Sequence, residues 1–361
     1  MRKSAALKRP ISGILLLDKP SGITSNAALQ KSKRLFNARK AGHTGTLDPL
    51  ATGMLPLCFG EATKLSSFLL DSNKSYRTVA QLGEVTDTGD SDGEVIRQRP
   101  VPDGLDRSQI ESVLARLRGT TSQVPPMYSA LKHQGKRLHE LARAGQTVER
   151  SAREVTISRL ELLDSGADWF EIDVDCSKGT YIRSLVQDIG EALGCGAHLT
   201  ALRRTGVSPF QGLTMHSLDD LLTRCRTGPM PQRAVAADAT LEDLTAVSRE
   251  PFFAPLDACL LAPDSVLTHL PRLALSSAEQ ARFCHGNGFD IACQRLELPA
   301  EDNTGVAQPQ GDCLTRIYTP QQSFLGLAEV VGEPSAQLLN GVGSQDCQSL
   351  LQVRPKRVLN I

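Results

Sequence analysis

Apolar and polar positions in the first part of the chain predict short elements in regular succession. The apolar run Gly13–Asp18 predicts a buried strand, and turn residues end it. Thr24 or Ser25 is suited to cap a helix that continues to about Phe36, because apolar side chains recur there at helical spacing. A loop rich in glycine, Ala41–Gly53, follows this helix.

Strand-like and helix-like segments then continue to about residue 222. Apolar alternation predicts strands at Ser75–Gly83, Val155–Leu163 and Trp169–Cys176. Apolar spacings of three and four predict helices at Glu61–Leu70, Ser108–Arg118 and Tyr181–Leu193. Gln123–Thr147 is predicted to be a loop followed by a basic helix.

The composition changes after about Leu222. Thr223–Pro251 is rich in proline, alanine, threonine and charge, which is typical of a linker or an insertion. Beyond it, short strand-like runs predict a small β-barrel or sandwich: Phe289–Cys293, Cys313–Tyr318, Phe324–Val331 and Leu350–Val353. The stretches between them, Pro299–Asp312 and Gly332–Asp346, are predicted to be long flexible loops.

Charge is distributed unevenly, although the formal net charge is zero. Residues 1–40 hold ten basic side chains and one acidic one, a net charge of +9, so the rest of the chain carries −9. A second basic segment is Lys132–Arg143. Such clusters favour a polyanionic partner such as RNA, although a solvated basic tail and a charged helix face would give the same pattern.

The nine cysteines are scattered and form no CxxC pair. We therefore expect reduced thiols in a cytoplasmic protein, and the spacing does not favour a zinc site. The basic N-terminus lacks the cleavage site of a signal peptide. No apolar run reaches the roughly 18 residues of a membrane-spanning helix, so no membrane association is expected.

The segment Gly42–Gly53 contains the candidate chemistry. Asp48 precedes Pro49, which disfavours helical backbone at the aspartate and makes its carboxylate project from a rigid loop. Rigidity suits a nucleophile, because positional error lowers the rate. His43 lies on the same loop and is suited to hydrogen bonding or stacking. On spacing alone, however, an isolated Asp-Pro pair is more often an Asx-turn than a catalytic group.

The same segment resembles the signature of the TruB family of tRNA pseudouridine synthases. Further blocks resemble the family in its own order: Leu16–Gly22, Leu55–Leu57, Gly60–Lys64, Lys74–Tyr76, Val124–Lys132, Cys176–Arg183 and Leu202–Thr205. The resemblance covers roughly residues 11–220. It implies base flipping, followed by an isomerisation that breaks the glycosidic bond of a uridine and rejoins C5 of the uracil to C1′. No group is lost and no redox change occurs, so no cofactor is expected.

The resemblance also implies the roles of individual residues. Asp48 matches the nucleophile and Arg183 matches the arginine that pairs with it. Tyr76 matches a tyrosine that stacks on the target base and takes part in proton abstraction. The residues that match substrate contacts are His43 at the space left by the flipped nucleotide, Tyr181 and Leu202 in the uracil pocket, and Lys19 near the active site.

The fold and the partners follow from the same resemblance. We expect an α+β fold in which residues 1–222 form a central mixed, mainly antiparallel β-sheet with flanking helices, with an RNA-clasping insertion at 123–150. After a linker or insertion at 223–269, residues 270–361 resemble a PUA-like RNA-binding barrel. The expected partner is the T-arm stem-loop of tRNA, in which uridine 55 is the target. We expect a monomer without an obligate protein partner.

Two other functions remain open from the residues themselves. The first is an RNA-binding chaperone for which Asp48 is dispensable. The second is an aspartate-dependent hydrolase that cleaves a glycosidic bond. Such a hydrolase normally needs two carboxylates at a set separation, whereas this motif offers one, which argues against it.

Overall fold

A computed structural model of the chain describes residues 8–227, 253–299, 313–332 and 350–359. Its strands, in chain order, are β1 Gly13–Lys19, β2 Ala41–His43, β3 Thr52–Phe59, β4 Lys74–Leu82, β5 Glu84–Thr86, β6 Val95–Gln98, β7 Gly119–Gln123, β8 Lys132–His133, β9 Lys136–Arg137, β10 Arg153–Ser165, β11 Trp169–Cys176, β12 Ala197–Val207, β13 His216–Ser217, β14 Arg272–Ala274, β15 Phe289–Ala292, β16 Cys313–Tyr318, β17 Phe324–Val331 and β18 Leu350–Val358. Its α-helices are α1 Ser25–Leu35, α2 Ser66–Asp71, α3 Arg107–Leu117, α4 Leu138–Arg143, α5 Ile182–Ala192, α6 Leu218–Thr227, α7 Ala254–Asp257 and α8 Ser277–Cys284. Short 3-10 helices lie at Gly60–Leu65, Pro263–Leu267 and Cys293–Arg295.

A nine-stranded sheet forms the centre of the N-terminal unit. Its strand order is β13-β1-β3-β12-β4-β11-β10-β7, and β2 also pairs with β3. Pairing is parallel between β1 and β13 and between β3 and β12, and antiparallel at the other strand pairs of this sheet. The expected α+β fold with a mixed, mainly antiparallel central sheet is therefore confirmed.

Strand β12 lies between β3 and β4 and brings the two strands together. In this register Arg204 lies opposite Gly53 on β3 and opposite Tyr76 on β4. The sequence pattern predicted neither β3 nor β12. Gly53 and Pro56 are unfavourable in a strand interior, and the adjacent pair Arg203 and Arg204 interrupts the apolar alternation of β12.

Helices α1 and α5 form where the pattern predicts them. The Thr24 hydroxyl accepts a hydrogen bond from the Ala27 backbone N–H at 3.1 Å, which caps α1. The apolar side chains of helix α5 pack into the hydrophobic core against the central sheet. The same helix buries Arg183, so its first turn directs a positive charge into the interior.

The segment 123–150 differs from its prediction. Lys132, Lys136 and Arg137 lie on the β8–β9 hairpin, and only Leu138–Arg143 is helical, so the basic helix predicted for this segment is largely wrong. The hairpin turn, Gln134-Gly135, has φ angles of 49° and 84°. Two consecutive positive φ angles are typical of a tight two-residue hairpin turn, and they end any helix.

The C-terminal strands form a five-stranded sheet of order β14-β16-β17-β18-β15. Four of them lie where they were predicted, although β18 continues beyond Val353 to Val358, and β14 was not predicted. The sheet curls, because Glu297 beyond β15 exchanges backbone hydrogen bonds of 2.7 and 2.8 Å with Arg272 in β14. The described residues therefore form a curled, half-barrel sheet at the place where the sequence predicted a small β-barrel or sandwich. It shares a hydrophobic cluster with the N-terminal unit, in which Tyr318 and Phe324 accompany Leu16 of β1.

Several expectations fall at the limits of the described residues. The predicted loops Pro299–Asp312 and Gly332–Asp346 lie outside them, apart from Pro299 and Gly332 themselves, and so does most of Thr223–Pro251. Cys293 is disulfide-bonded, so the expectation that all cysteines are reduced is wrong at this position. Among the described helices, none has the length and apolar character needed to span a membrane.

Candidate active site

The buried side chain of Lys19 holds the loop that carries Asp48. Its side chain is fully buried at the end of β1, and Nζ donates to the carbonyls of Pro20, Pro49 and Ala51 at 2.9, 3.1 and 2.7 Å. Burial lowers the pKa of Lys19 to about 8, although the Asp48 carboxylate opposes that change. Lys19 lines neither of the cavities described below. The structure thus places Lys19 behind the loop as an anchor, and its contact with the substrate stays a prediction.

Hydrogen bonds of Ser25 and Thr44 also hold this loop in place. The Ser25 hydroxyl, at the start of α1, donates to the Leu47 carbonyl at 3.0 Å and accepts from the Leu47 N–H at 2.8 Å. The Thr44 N–H donates to the Pro56 carbonyl on β3 at 3.1 Å. Because Asp48 follows Leu47 directly, its backbone has little freedom to move.

Arg183 forms the charged centre of the site. Its side chain is 5% exposed, and Nε lies 3.0 Å from Oδ2 of Asp48 and 3.6 Å from Oδ2 of Asp90. The two terminal nitrogens donate to the carbonyls of Thr88 and Tyr128, both at 2.7 Å. All three nitrogens are therefore engaged, which fixes the guanidinium against the two carboxylates.

The surroundings of Asp48 act on its ionisation in opposite directions. Burial raises the pKa of the Asp48 carboxyl above the ordinary 3.8, Arg183 opposes this as the next largest cause, and the nearby carboxylate of Asp90 raises the pKa further. The Asp48 side chain remains 35% exposed. It is therefore a partly desolvated carboxylate that stays accessible and is oriented by one cation.

A cavity of about 290 Å³ opens beside the Asp48 carboxylate. Tyr76 from β4, Tyr181 from the residue before α5 and Leu202 from β12 contribute to its lining, together with Asp48 and Arg204. Two aromatic rings and an aliphatic side chain make walls suited to a flat base. The residues to which the resemblance assigns a uracil pocket thus meet around one cavity.

The two tyrosines lie in different surroundings. The Tyr181 N–H donates to Oε1 of Gln123 at 2.8 Å, and Nε2 of Gln123 donates to the Tyr181 carbonyl at 3.1 Å. Tyr76 is partly buried, and burial raises the pKa of its hydroxyl, while the charge of Arg204 opposes the rise. The Gln123 side chain therefore fixes the backbone at Tyr181 before any ligand binds.

A second cavity, of about 640 Å³, meets the other side of Asp48. It is lined by His43, by the start of α1, and by Arg137 and Arg143 of the segment 123–150. Nδ1 of His43 is buried without a hydrogen-bond partner, and burial lowers its pKa below 6.5, with the charge of Arg204 adding to the effect. His43 is therefore neutral near pH 7, and it lines the larger of these two cavities.

Sequence reasoning missed two charged residues of this site. Asp90 is 4% exposed and accepts a hydrogen bond of 2.6 Å from the Thr88 hydroxyl, although no element or role was predicted for its segment. Arg204 is 1% exposed and lies in a block that carried the family resemblance, yet no role was assigned to it. The alternation of strand β12 is the signal that could have identified Arg204, because Leu202 two residues earlier faces the same cavity.

The arrangement is suited to nucleophilic or electrostatic chemistry on a flat ring attached to a sugar. One oriented carboxylate lies at the entrance of an aromatic pocket, and a buried guanidinium keeps it aligned. The described residues contain no group of three or more His, Cys, Asp or Glu side chains arranged to hold a metal ion. They also place no second carboxylate in the 290 Å³ cavity, where a hydrolase of glycosidic bonds would need one.

Family models, curated relatives and a solved structure all indicate the same family. Residues 33–182 match the TruB family pseudouridylate synthase N-terminal domain, and residues 183–268 match the tRNA pseudouridylate synthase B C-terminal domain. The chain is 50% identical to the tRNA pseudouridine synthase B of Chromohalobacter salexigens over 321 residues, which are 89% of this chain and 91% of that protein. It is 51% identical to the protein of the same name from Chromobacterium violaceum over 338 residues, 92% of this chain and 95% of the relative.

A solved structure of similar fold supports the assignment. The crystal structure of a Cbf5-Nop10-Gar1 complex contains a chain that matches 96% of this one and 84% of its own length, with a TM-score of 0.64 and 25% identity. The sequence matches cover both halves of the N-terminal unit, in which the Asp48 loop, Arg183 and the two tyrosines lie together. The chain therefore belongs to the TruB family of pseudouridine synthases.

Proposed function

We propose that this pseudouridine synthase acts on tRNA and isomerises uridine 55 in the loop of the T-arm, with Asp48 as the nucleophile. The observation that carries the proposal is the 3.0 Å ion pair between Asp48 and the buried Arg183, at the entrance of a cavity walled by two tyrosines. The curated relatives are named as tRNA pseudouridine synthases, which supports tRNA as the substrate.

The proposed reaction replaces the N1–C1′ bond of the uridine by a C5–C1′ bond, and one proton leaves C5 while N1 gains one. The target uridine leaves its stack and enters the 290 Å³ cavity, where Tyr76 provides a face for stacking. The Asp48 carboxylate attacks the sugar or the base as the N1–C1′ bond breaks. The uracil turns, C5 bonds to C1′, the bond to Asp48 breaks so that its carboxylate is free again, and overall C5 loses a proton while N1 gains one. Arg183 keeps Asp48 ionised and oriented throughout.

An assay on an unmodified T-arm stem-loop separates this proposal from its alternatives. We expect pseudouridine in the RNA and no free uracil. Binding without any change in the RNA would favour the chaperone, and release of uracil would favour a hydrolase.

The rate should depend on the ionisation of Asp48. Only the carboxylate form is nucleophilic, and burial raises its pKa above 3.8. The single-turnover rate at saturating RNA should therefore fall as the pH decreases through a value above that of a free aspartate. A rate that stays constant down to pH values below about 4, while the protein remains folded by circular dichroism, would contradict the proposed role.

We also propose that the β8–β9 hairpin binds RNA phosphates. Lys132 and Lys136 are exposed, and neither lines a cavity that contains Asp48. Arg137 does line the 640 Å³ cavity that contains Asp48, so its substitution would not test phosphate binding alone. The two lysines provide the cleaner test of phosphate binding.

The double variant Lys132→Ala, Lys136→Ala should weaken RNA binding and flatten its salt dependence. Each lysine–phosphate interaction that the variant removes should reduce the slope of log affinity against log salt by about 0.7–0.9. Turnover at saturating RNA should be unchanged. As a matched control, Arg107→Ala with Arg116→Ala removes two exposed charges outside the segment. An equal change of slope in both double variants would show that net charge, and not the hairpin, sets the dependence.

Residues 270–361 are proposed to form a PUA-like unit that adds to RNA binding. The curled sheet and its short strands support this proposal, whereas the hydrophobic cluster that the sheet shares with β1 equally fits a purely stabilising role.

We further propose that the enzyme is cytoplasmic and acts as a monomer without a protein partner. Light scattering of the active protein tests the monomeric state.

A further inference from the structure

The side chain of Gln123 is buried where the end of β7 meets the start of α5. Gln123 is 5% exposed, although the other residues of β7 are exposed or half-buried. Its amide contacts the backbone of Tyr181, but Gln123 lines neither of the cavities that contain Asp48. Any effect of Gln123 on the chemistry therefore passes through another residue.

The Gln123 amide pairs with the backbone of Tyr181 in both directions. The Tyr181 N–H donates to Oε1 at 2.8 Å, and Nε2 donates to the Tyr181 carbonyl at 3.1 Å. A primary amide carries a donor and an acceptor on one planar group, so it matches a peptide backbone as a neighbouring strand would. A carboxylate of the same length lacks the donor, and the thioether of methionine is only a weak acceptor.

The position of Tyr181 in the chain explains why a distant residue supplies this contact. Tyr181 is the N-cap residue of α5, with extended φ and ψ angles of −100° and 111°. Short polar side chains are preferred at an N-cap, because they bond to the free N–H groups of the first turn. Here the position holds an aromatic residue that lines the 290 Å³ cavity. A local cap is thus replaced by a pocket wall, and Gln123 holds the backbone from which the ring projects.

The arginine two residues later is held by other contacts. The Arg183 guanidinium lies 3.0 Å from Oδ2 of Asp48 and donates to two backbone carbonyls, both at 2.7 Å. None of these three contacts involves Gln123. Loss of the Gln123 amide should therefore displace the Tyr181 ring and leave the pair of Asp48 and Arg183 in place.

We propose that Gln123 is a positioning residue of the isomerisation, which sets the Tyr181 ring against the target uracil through the backbone of Tyr181. This inference rests on the proposed function. Gln123 forms no bond with the RNA and exchanges no proton. Its contribution is made while the uracil turns in the cavity, because a displaced wall lets the base adopt orientations from which C5 cannot reach C1′.

A double-mutant cycle with Tyr181 tests the proposal. Gln123→Met keeps the approximate size of the side chain and loses the amide. It should lower the single-turnover rate at saturating T-arm RNA about 10²-fold, because a misplacement of about 1 Å can cost that much, and it should leave the affinity for this RNA unchanged. Tyr181→Leu removes the ring and should lower the rate at least as much. Because Gln123 acts through that ring, adding Gln123→Met to Tyr181→Leu should slow the reaction by less than about threefold.

Gln81→Met is the matched control. The Gln81 amide also donates to a backbone carbonyl, that of Asp168 at 2.9 Å, but it lies near the far end of β4 and lines neither cavity that contains Asp48. This variant should keep the wild-type rate. If Gln123→Met does not fold, Gln123→Glu retains the acceptor for the Tyr181 N–H and provides the same cycle. Losses that multiply in the double variant, or a wild-type rate in the folded Gln123 variant, would overturn the proposal. An inactive wild-type protein would instead contradict the proposed function.

Discussion

Asp48→Asn is expected to lower pseudouridine formation by at least about 10⁴-fold while T-arm RNA still binds. The amide has nearly the shape of the carboxylate, but it is a far poorer nucleophile and carries no charge to pair with Arg183. Single-turnover kinetics measures the loss, and filter binding of the same RNA measures the affinity. The loss should therefore appear in the chemical step and not in binding.

Asp18→Asn is the matched control for this variant. Asp18 also pairs with an arginine, Arg203, at 2.8 Å, and its side chain is 30% exposed, close to the 35% of Asp48. It should keep a rate near that of the wild type. If Asp48→Asn retains a rate within about tenfold of the wild type, Asp48 is not the nucleophile.

Substitution of Tyr76 by Phe and by Leu should separate stacking from proton transfer. Phe keeps the ring and loses the hydroxyl, and loss of general acid–base assistance typically lowers a rate about 10²–10⁴-fold. Leu also removes the π-face, which is worth about 1–3 kcal/mol of base stacking, so it should be slower still. Rates at saturating RNA distinguish the two variants.

Tyr318→Phe serves as the control, because it removes a hydroxyl that donates to Asp264 at 2.6 Å in the C-terminal unit. Its effect on the rate should be small. Should Tyr76→Phe prove as active as the wild type while Tyr76→Leu is inactive, Tyr76 only stacks, and its role in proton transfer must be abandoned.

Helices and strands with regular apolar spacing were predictable from sequence, whereas the adjacent strands β3 and β12 were not. Helix α5 and strand β11 carry regular apolar spacing, so their local patterns determine them. Strand β3 contains Pro56, and β12 contains two adjacent arginines, so both depend on neighbours distant in sequence. The hairpin around Gln134 depends on two positive φ angles, which a charged, helix-like composition concealed.

The active site was likewise only partly predictable from sequence. The Gly-rich loop and the Asp48-Pro49 pair indicate a rigid aspartate, but no spacing rule connects Asp48 with Arg183, which lies far along the chain. That pairing came from the resemblance alone. Asp90 and Arg204 were missed because a buried charge on a turn or strand looks in sequence like an exposed one. Only tertiary packing gives Arg204 its 1% exposure, whereas Arg203 beside it keeps 42% of its side chain exposed.

The most direct measurement is the position of pseudouridine in a full-length, unmodified tRNA transcript after incubation with the purified protein alone. Chemical marking of pseudouridine followed by reverse transcription locates each modified nucleotide. We predict one site, uridine 55 in the T-arm loop, modified by the wild type and by Asp18→Asn but not by Asp48→Asn. Modification at another position, or pseudouridine at uridine 55 after treatment with Asp48→Asn, would contradict the account.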